Sequence, residues 1–339
     1  MNATMLLEKL EHFPVMLEKI LSIITPQHGG TFIDCTFGTG GYSKAILSFP
    51  KTEVIALDRD KSVLKFVKIL IKKNQNRFKF YNKKFSQIDT IFQKKNTVKA
   101  IIFDLGYSTV QIKDLSRGFS FHSKGSLDMR MGFNSFSALE TINHLNQKEI
   151  ELILKYFGEE KKCKKIAFQI ISLRKRKKLN TKDLVEIIKK VKKKKYFNRI
   201  NKATKCFQAL RIFVNNEVTE LITGLINATK YLKPGSILLV ITFHSLEDRI
   251  VKYFFKTYSE KNKNPSRYLP KLNQQDKRLF DCPQKKPLIP SDKELLANAS
   301  SRSAKLRYVI RNNNKFIFPE EFLKKFQNYI DIENIGLKL

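Results

Sequence analysis

The sequence predicts an α/β fold in which a doubly wound parallel sheet is interrupted by an all-helical insertion. Over the first 110 residues, short apolar runs alternate with amphipathic stretches, which is the order typical of parallel sheets covered by helices. The run at 100–104 is apolar on both faces, as in a central parallel strand. Helical spacing dominates from about 137 to 201, and a strongly apolar run at 237–243 then resumes the strand pattern.

Six apolar runs are predicted to be strands, with helices between them. Helices are predicted from about Tyr42 to Phe49 and over Val63–Ile71, because apolar residues recur there at helical spacing. Residues 111–131 and 260–300 show no clear periodicity and are predicted to be loop-like. The predicted strands are Thr31–Asp34, Val54–Asp58, Phe78–Tyr81, Ala100–Asp104, Ile237–Phe243 and Leu306–Ile310.

The inserted segment is predicted to be helical from about Ser137 to Asn201. A basic helix is expected around Cys163–Lys178, and another is expected to start near Asn180 or Thr181 as its cap. An apolar stripe from Phe207 to Leu225 predicts one long helix, which ends at the segment Tyr231–Gly235.

These elements predict three parts of the chain. The sheet domain is discontinuous and comprises 1–110 and 212–311, the inserted helical domain comprises 111–211, and 312–339 form a C-terminal extension. Within the extension, an amphipathic helix is predicted between Phe316 and Tyr329.

The composition excludes several classes of protein. Of the 339 residues, 42% are hydrophobic and 27 are phenylalanine, which is enough to build a core despite the charge. No apolar stretch approaches the ~18 residues of a membrane span, and the N-terminus lacks the apolar segment of a signal peptide. The four cysteines lie far apart, so we expect neither a disulfide framework nor a metal site, and a cytoplasmic location fits.

The net charge of +34 has two interpretations. A polyanionic partner, above all nucleic acid, would account for it. Compositional drift would also account for it, because the basic residues are overwhelmingly Lys and because Ile, Asn and Phe are abundant. The few arginines in motif-like segments indicate places that need a planar, bidentate donor. These are Arg117, Arg130, Arg211, Arg249, Arg302 and Arg307.

A glycine-rich turn, DCTFGTGG at 34–41, joins the first strand to the first helix. Open α/β sheets bind ligands at the carboxyl ends of their strands, where glycines let a ligand approach the backbone. The spacing is Gly-x-Gly-Gly, and Asp34 would repel a pyrophosphate but could pair with an ammonium group. Asp58, at the end of the second strand, could accept hydrogen bonds from both hydroxyls of a ribose. Together these features favour S-adenosylmethionine, although a glycine turn followed by a capping Asp is the simpler alternative.

The segment DLGYS at 104–108 follows the fourth strand and is the candidate reaction site. Amino-group methyltransferases of nucleic acid place a polar residue and an aromatic residue at this point. The exocyclic amine of cytosine is a poor nucleophile, and an acceptor such as Asp104 would hold one of its hydrogens while the methyl group transfers. The base must leave its stack to reach such a site. His244 follows the fifth strand and could contact the substrate base or a phosphate, or it could be a structural hydrogen-bonding residue. Ser245 could be the N-cap of the next helix.

Nine short segments combine these glycines, carboxylates and arginines in one order along nearly the whole chain. They are HFPVML at 12–17, DCTFGTGG at 34–41, DRD at 58–60, DLGYSTVQ at 104–111, RGFSF at 117–121, LDMRM at 127–131, FQALRIFVN at 207–215, FHSLEDR at 243–249 and SRSAKLR at 301–307. In this order they resemble the bacterial 16S rRNA cytosine-N4 methyltransferase family of the RsmH/MraW type, from His12 to about Arg311.

The resemblance implies a Rossmann-like class I S-adenosylmethionine-dependent methyltransferase sheet with an inserted all-helical substrate-recognition domain. It implies a cytoplasmic enzyme that methylates N4 of cytidine 1402 in 16S rRNA of the small ribosomal subunit, from S-adenosyl-L-methionine. It leaves a homodimer and a dependence on metal open, it implies no membrane partner, and it assigns no metal ligand. Asp104 is implied as the catalytic residue, and the implied cofactor contacts are Gly40, Gly41, Tyr42, Asp58, Phe85, Asp104 and Gln111.

Four departures from the family pattern bear on these expectations. Tyr42 stands where the family usually has His, and Tyr107 replaces a small aliphatic residue. The segment Asn201–Lys205 replaces His-Pro-Ala-Thr-Arg, and Lys124–Ser126 replaces Asp-Gly-Pro. The glycines, aspartates and arginines at the positions that carry the chemistry in the family are present in this chain.

Three other functions stay open from the residues alone. A non-catalytic RNA-binding protein could keep the fold and the basic surface. A nicotinamide-dependent oxidoreductase is disfavoured because the third glycine of its motif is absent, with Ser43 in its place. A methyltransferase of DNA or protein amines would share the residues near Asp104. The basic clusters at 161–165, 174–178 and 189–195 predict an RNA-binding surface in the inserted domain.

Overall fold

The computed structural model describes residues 14–91, 98–121, 123, 127–192, 201–260 and 278–339. Three sequence-based expectations therefore lie partly or wholly outside the described residues: the start of the family-like segment at 12–17, the replacement at 124–126 and the basic residues 193–195. The chain divides into two compact units. Unit 1 comprises 1–106 and 222–323, and unit 2 comprises 107–221 and 324–339.

Unit 1 is built on a seven-stranded sheet with the order β3-β2-β1-β4-β5-β7-β6. Strands β1 to β5 pair in parallel, and β7 pairs antiparallel with both β5 and β6. This confirms the predicted α/β fold and its doubly wound sheet. The strands are β1 (Gly30–Asp34), β2 (Thr52–Leu57), β3 (Phe78–Tyr81), β4 (Val98–Asp104), β5 (Ile237–Thr242), β6 (Phe280–Asp281) and β7 (Lys305–Arg311).

The α-helices of the described residues cover the sheet of unit 1 or form unit 2. They are α1 (Leu17–Ile24), α2 (Gly41–Leu47), α3 (Leu64–Lys73), α4 (Thr109–Lys113), α5 (Ala138–His144), α6 (Gln147–Tyr156), α7 (Cys163–Arg174), α8 (Thr181–Val191), α9 (Thr204–Asn215), α10 (Glu217–Tyr231), α11 (Ser245–Thr257), α12 (Asp292–Ala297) and α13 (Glu320–Glu333). None of them is long and apolar enough to cross a membrane.

The central strand β4 is the most deeply buried part of unit 1. Ala100, Ile101, Ile102 and Phe103 are all fully buried, so side chains on both faces of the strand lie in the core. The two-sided apolar run that predicted a central parallel strand is thereby confirmed. Burial on both faces fixes the strand register, because a shift of one residue would bring Asp104 into the apolar core.

Unit 2 starts several of its helices with reciprocal caps. At α8, the Asn180 side chain accepts a hydrogen bond from the backbone N–H of Asp183, whose carboxylate accepts one from the backbone N–H of Asn180. The predicted cap at Asn180 is thereby confirmed. The same arrangement joins Ser137 to Glu140 at α5 and Asn146 to Glu149 at α6. Each cap satisfies N–H groups that the first turn leaves without partners.

The prediction of one long helix over Phe207–Leu225 is wrong. The structure has α9 and α10, separated by Asn216, whose φ of 49° places it in the left-handed region. Asn tolerates that conformation better than most residues and therefore ends helices. The apolar stripe continues across the break because both helices bury one face. In the sequence, the adjacent asparagines at 215 and 216 were the signal that could have indicated the end of a helix.

Two loop predictions also need correction. Residues 109–113 form α4, so Gln111 lies on a helix and not in a loop. Within the predicted loop 260–300, the described residues form β6 and α12. These elements are short, and a short element does not contain enough residues to show a period.

Of the six arginines, Arg130 and Arg211 make the paired contacts expected of a planar donor, and Arg307 bonds one carboxylate oxygen. Arg130 bonds both oxygens of Asp128 at 2.9 and 2.7 Å, and Arg211 bonds both oxygens of Glu217 at 2.8 Å each. The Arg307 Nε lies 2.7 Å from a carboxylate oxygen of Asp248. These arginines stabilise the fold through charge-assisted hydrogen bonds.

The observed division of the chain differs from the predicted domains at both boundaries of the insertion: the first lies after Gly106 and not after residue 110, and the second lies further along the chain. The sequence places that boundary after residue 211, whereas the structure divides the chain after Leu221, within α10. The predicted extension at 312–339 is also divided, because its residues up to Leu323 belong to unit 1 and the rest belong to unit 2. Contacts between distant segments decide where these boundaries lie, and the periodicity of neighbouring residues does not reveal the boundaries.

A glutamate at the end of α13 caps the N-terminus of α10 in unit 2. Glu333 is 3% exposed, and its carboxylate accepts hydrogen bonds from the backbone N–H groups of Val218 and Thr219 at 2.9 Å each. The Thr219 hydroxyl donates to the same carboxylate. A carboxylate from 114 residues away thus takes the place of a local N-cap.

Glu333→Ala is therefore expected to lower the free energy of unfolding by about 2 kcal/mol, because it leaves buried N–H donors without an acceptor. Urea unfolding followed by circular dichroism measures this change. Glu320→Ala, at the exposed start of the same helix, is the control and should change the free energy by less than ~0.5 kcal/mol. Equal values for the two variants would show that Glu333 does not cap α10.

Candidate active site

The carboxyl ends of β1, β2 and β4 bring Asp34, Asp58 and Asp104 to one edge of the sheet of unit 1. In the strand order 3-2-1-4-5, the chain reverses its direction of winding between β1 and β4. Open α/β sheets bind ligands at such a reversal, outside the carboxyl ends of the strands. The predicted ligand site therefore lies at the place where this topology favours one.

Asp34 is fully buried beneath the glycine-rich turn. One of its oxygens accepts a hydrogen bond from the Ser43 hydroxyl at 2.7 Å, and the other accepts one from the Thr36 N–H at 3.2 Å. Burial raises its pKa to about 6, against the lowering effect of Ser43. The interpretation that Asp34 pairs with an ammonium group of a ligand is wrong, because no surface of Asp34 is accessible. Its role is to hold the turn.

Gly40 and Gly41 lie where a side chain has no room. Gly40 has a φ of +79°, and a Cβ there would lie 2.7 Å from the Phe37 ring. A Cβ on Gly41 would lie 2.3 Å from Pro14. The two glycines are thus required by the packing of the turn, and their predicted contact with a cofactor stays a prediction.

Asp58 ties the glycine turn to the end of β2. Its carboxylate accepts hydrogen bonds from the N–H groups of Gly38 and Asp60 at 2.8 Å each. Burial raises its pKa to about 6, while these two hydrogen bonds lower it. The residue is only partly buried, and each oxygen keeps a second lone pair. Asp58 is therefore able to accept hydroxyl donors, as a ribose site requires.

Asp104 is the carboxylate that the fold leaves unsatisfied. Its backbone N–H donates to the Thr36 hydroxyl at 2.8 Å, which fixes the end of β4 against the turn. Its Oδ1 is buried and finds no hydrogen-bond partner among the described residues. Burial, and then the negative charge of nearby Asp34, raise its pKa to about 8. A buried acceptor without a partner costs free energy, so this oxygen is poised to accept a donor from a ligand.

Tyr42 lies behind Asp104 and not on an open surface. It is 4% exposed, and its hydroxyl donates to the carbonyl of Val15 at 2.6 Å. The hydroxyl also interacts with the Asp104 carboxylate, which favours the ionised form of Asp104. Burial, together with Asp104 and Asp34, holds the Tyr42 pKa well above its usual value. The structure thus places Tyr42 as a neighbour of Asp104, and its cofactor contact remains a prediction.

Phe85 packs edge-on against Phe103, with ring centroids 5.3 Å apart and an interplanar angle of 87°. Gly224 makes room for it, since a Cβ at that position would lie 2.8 Å from the Phe85 ring. Phe85 is only partly buried. Part of its ring is therefore accessible to a flat ligand, and its predicted contact with adenine stays a prediction.

Gln111 belongs to unit 2, where it caps α4. Its side-chain oxygen accepts a hydrogen bond from the Ser108 N–H at 2.8 Å, and its own N–H donates to the Ser108 hydroxyl at 3.3 Å. The side chain is 5% exposed. The structure gives Gln111 this capping role, and contact with a cofactor stays a prediction.

His244 is the N-cap of α11, where the sequence suggested Ser245. Its Nδ1 accepts a hydrogen bond from the Glu247 N–H at 3.4 Å, and its Nε2 lies 3.1 Å from a Glu247 oxygen. The other Glu247 oxygen accepts from the Phe243 N–H at 2.8 Å. The spacing His-x-x-Glu is a reciprocal cap with an imidazole in the place of a hydroxyl. The structural interpretation of His244 is the one that these contacts support.

Two residues of the site were missed from the sequence. Thr36 orients Asp104 through its hydroxyl, and Glu247 adds negative charge that raises the Asp104 pKa. Thr36 lies 68 residues from Asp104 in the chain. The only available signal was its place inside the glycine-rich turn.

Comparisons with known proteins identify a family whose model matches most of the chain. The model of the MraW methylase family matches residues 9–312. A protein of Ehrlichia canis named "Ribosomal RNA small subunit methyltransferase H" is 41% identical over 304 residues, which are 88% of this chain and 99% of that protein. Proteins with the same name from Bartonella bacilliformis and Zymomonas mobilis are 42% and 38% identical. They cover 88% and 90% of this chain and 89% and 92% of their own lengths.

The matched residues include both the sheet edge with its three aspartates and most of unit 2. On this match over most of its length, the chain belongs to the MraW methylase family and is a methyltransferase.

Proposed function

We propose that this methyltransferase transfers a methyl group from S-adenosyl-L-methionine to the exocyclic N4 of cytidine 1402 in 16S rRNA. The relatives are named for the small-subunit ribosomal RNA, which supports the substrate class. The observation that carries the chemistry is the buried, unpartnered Oδ1 of Asp104 at the carboxyl end of β4. An amine that enters the site offers this oxygen the N–H donor that it lacks.

The residues of unit 1 fit the proposed cofactor. Asp58 would accept the two ribose hydroxyls, because its oxygens keep free lone pairs after bonding Gly38 and Asp60. Phe85 would pack against the adenine, and the turn at Gly40 and Gly41 would lie against the amino-acid portion. The bound cofactor supplies an electrophilic methyl group on a positively charged sulfur.

Asp104 would orient the amine and accept its hydrogen. Its carboxylate holds one N–H of the cytosine amine, which turns the nitrogen lone pair toward the methyl group. A bond from nitrogen to the methyl carbon forms as the carbon–sulfur bond breaks, and the surplus proton leaves the nitrogen toward Asp104 or water. The pKa of Asp104, raised to about 8 by burial, makes the carboxylate a better proton acceptor than an exposed aspartate.

Methylation of isolated rRNA by the purified protein tests the proposal. Small-subunit rRNA from cells that lack the gene is treated with protein and cofactor, and its nucleosides are separated by mass spectrometry. The expected product is a single N4-methylcytidine, which is lost again when the cytidine at 1402 is replaced. Methylation of DNA or protein amines, but not of rRNA, would favour the alternative substrates. An absence of cofactor binding would favour a non-catalytic RNA-binding protein.

The RNA partner is also supported by an exposed basic face on α7 in unit 2. We define the α7 surface as Lys164, Lys165, Phe168 and the C-cap residue Lys175, which are all exposed. Their spacing of three, four or seven residues places them on one side of the helix. Phe168 is 54% exposed between the lysines. A basic surface that includes an aromatic ring suits single-stranded nucleic acid.

Several residues of the three predicted basic clusters serve the fold instead. Arg174 donates to the carbonyl groups of Ile142 and Leu145 at the end of α5, and Lys162 donates to that of Val191 at the end of α8. Lys177 pairs with Asp183, and Lys192 pairs with Glu160. The RNA surface that we propose is accordingly smaller than the clusters in the sequence.

Reversing the charge of Lys164 and Lys165 together, as Lys164→Glu with Lys165→Glu, should weaken RNA binding at least tenfold. The slope of log affinity against log salt should fall by about two, since two phosphate contacts are lost. Titration of labelled RNA at several salt concentrations measures both quantities. The matched control is Lys68→Glu with Lys72→Glu on the exposed side of α3. An equal loss in both double variants would mean that bulk charge, and not the α7 surface, binds the RNA.

A cytoplasmic location belongs to the same proposal, because the ribosomal subunit that would carry the substrate is assembled there. Fractionation of cells that express the tagged chain tests it. Cosedimentation with the small subunit or its precursors is the expected result.

A further inference from the structure

Arg302 is an exposed arginine on the helical turn Ala299–Ser303 of unit 1, just before β7. Within the described part of the chain, its guanidinium has no hydrogen-bond acceptor and no ion-pair partner. Each of the other five arginines from motif-like segments interacts with another residue, and Arg117, for example, donates to the carbonyl of Arg130 at 2.6 Å. Arg302 is therefore the planar, bidentate donor of this set that the fold does not use.

The sheet register places Arg302 at the same edge of unit 1 as Asp104. Asp104 at the end of β4 pairs with Ile241 of β5, which in turn pairs with Leu306 of β7. Leu306 thus lies two strand spacings, about 10 Å, from Asp104. Because β7 runs antiparallel to β5, the chain before Leu306 lies beyond the carboxyl end of β5. The four residues from Arg302 to Leu306 span at most about 14 Å, so a single RNA strand can reach both Arg302 and Asp104.

The backbone that carries Arg302 is held in place. Ser301 is fully buried, and its hydroxyl and its N–H both donate to the carbonyl of Asn298, at 2.7 and 3.0 Å. The Ala304 N–H donates to the Ser301 carbonyl at 2.8 Å, and the Asn298 side chain accepts from the Ser300 N–H at 3.2 Å. An arginine on a fixed backbone presents its donors at a defined position, which lowers the cost of ordering them on a ligand.

The charges beside this turn suit an anionic ligand. Lys305 and Arg307 both bond the carboxylate of Asp248, at 3.1 and 2.7 Å, so two cations share one carboxylate. The Lys305 side chain remains 45% exposed. On the adjacent helix α12, the carboxylate of Glu294 accepts a hydrogen bond from the Met16 N–H at 2.6 Å. Both carboxylates are thus engaged, which leaves the positive charge of the turn available to an anion.

The chemistry of the reaction identifies the anion. A cytidine must leave its stack before its amine can reach a buried acceptor, and its strand has to be held while the base is turned out. Phosphate contacts fix the register of a nucleic acid, and an arginine can bond two phosphate oxygens at once. We propose that Arg302 binds a phosphate of the rRNA strand beside the methylated cytidine. This rests on the proposed function and adds a substrate-binding residue to it.

The test compares Arg302→Ala, which removes the charge, with Arg302→Lys, which keeps the charge without the planar donor. Labelled rRNA is titrated at several salt concentrations. We expect Arg302→Ala to weaken binding about tenfold and to lower the slope of log affinity against log salt by about one, because one charged phosphate contact is lost. Cofactor affinity and the thermal melt should stay unchanged. Arg302→Lys should keep the slope and bind with an intermediate affinity.

Lys51→Ala is the matched control for the loss of one positive charge. Lys51 is also exposed, but it directly precedes β2 and therefore lies at the opposite edge of the same sheet. Its affinity for rRNA should stay within about twofold of that of the unsubstituted protein. If Arg302→Ala binds rRNA as tightly as Lys51→Ala, the proposal is wrong.

A second measurement locates the phosphate and needs no methyl transfer. In a series of rRNA fragments, a neutral methylphosphonate replaces one phosphate at a time on either side of the target cytidine. At the phosphate that Arg302 binds, this replacement should weaken binding by the unsubstituted protein but not by Arg302→Ala. The absence of any such position would overturn the proposal. If the unsubstituted protein binds the fragments but does not methylate rRNA, the proposed function fails, while the series still decides what Arg302 binds.

Discussion

Asp104→Ala should abolish methyl transfer while the fold stays intact. General acid–base and orienting contributions of one side chain are worth about 10²–10⁴-fold in rate, and Asp104 is the group that this site offers for both. The substitution removes no hydrogen bond from Oδ1, which has no partner among the described residues, and the Tyr42 hydroxyl, which loses its contact with the carboxylate, keeps its bond to the Val15 carbonyl. Transfer of a labelled methyl group to rRNA measures the loss, and a thermal melt checks the fold.

Asp104→Asn separates charge from shape at the same position. The amide keeps one oxygen acceptor but cannot take a proton, so we expect a rate between those of the Ala variant and the unsubstituted protein. Near-normal turnover in both variants would remove Asp104 from the mechanism. A loss of rate together with a lowered melting temperature would instead indicate a structural role.

The raised pKa of Asp104 also fixes the direction of the pH dependence. The ionised carboxylate is the better acceptor, and its pKa in the free protein is raised to about 8 by burial and by Asp34. The value of kcat/KM should therefore rise with pH and level off above about 8. The positive charge of a bound cofactor favours the ionised form, so the kcat profile should level off at a lower pH. In Asp104→Asn, this rise should be absent.

Asp58→Ala should weaken cofactor binding at least about a hundredfold. Two hydrogen bonds from ribose hydroxyls to a charged acceptor would be lost, each worth about 1.5–3 kcal/mol. The turn would also lose the bonds that Asp58 accepts from Gly38 and Asp60. Calorimetric titration with S-adenosylmethionine measures the change in affinity.

Two control variants make the Asp58 result specific. Glu53→Ala alters a carboxylate near the opposite end of the same strand, where it is exposed, and should leave cofactor affinity unchanged. Asp58→Asn keeps one oxygen acceptor and should give an intermediate affinity. If Asp58→Ala binds the cofactor as tightly as Glu53→Ala, Asp58 serves only to hold the glycine turn.

The strands were the most predictable part of the fold. The observed bounds of β3 equal the predicted ones, and β1, β2, β4, β5 and β7 lie within about two residues of theirs. When one or both faces of a strand are buried, apolar residues alternate or run together along the chain, and this pattern predicts the strand. The antiparallel direction of β7 was not predictable, because direction depends on a partner strand that lies far away in the chain.

The carboxylates of the site were found from the sequence, but their roles were not. Asp34, Asp58 and Asp104 share the same signal, a carboxylate at the end of an apolar run. In the structure, Asp34 is sealed beneath the turn, Asp58 is partly accessible and Asp104 keeps an unpartnered oxygen. The difference arises from hydrogen-bond partners and burial, which a strand pattern does not contain.

By itself, the sequence determined the α/β class, the edge of the sheet where the site lies and the order of motifs that resembles the family. Those features depend on residues that are close in the chain, so local periodicity and spacing carry them. Only the tertiary structure decided that the Tyr42 hydroxyl meets the Val15 carbonyl, 27 residues away, and that Thr36 holds the N–H of Asp104, 68 residues away. Burial and hydrogen-bond partners set the pKa and the availability of a carboxylate, and both are fixed only when distant segments pack together.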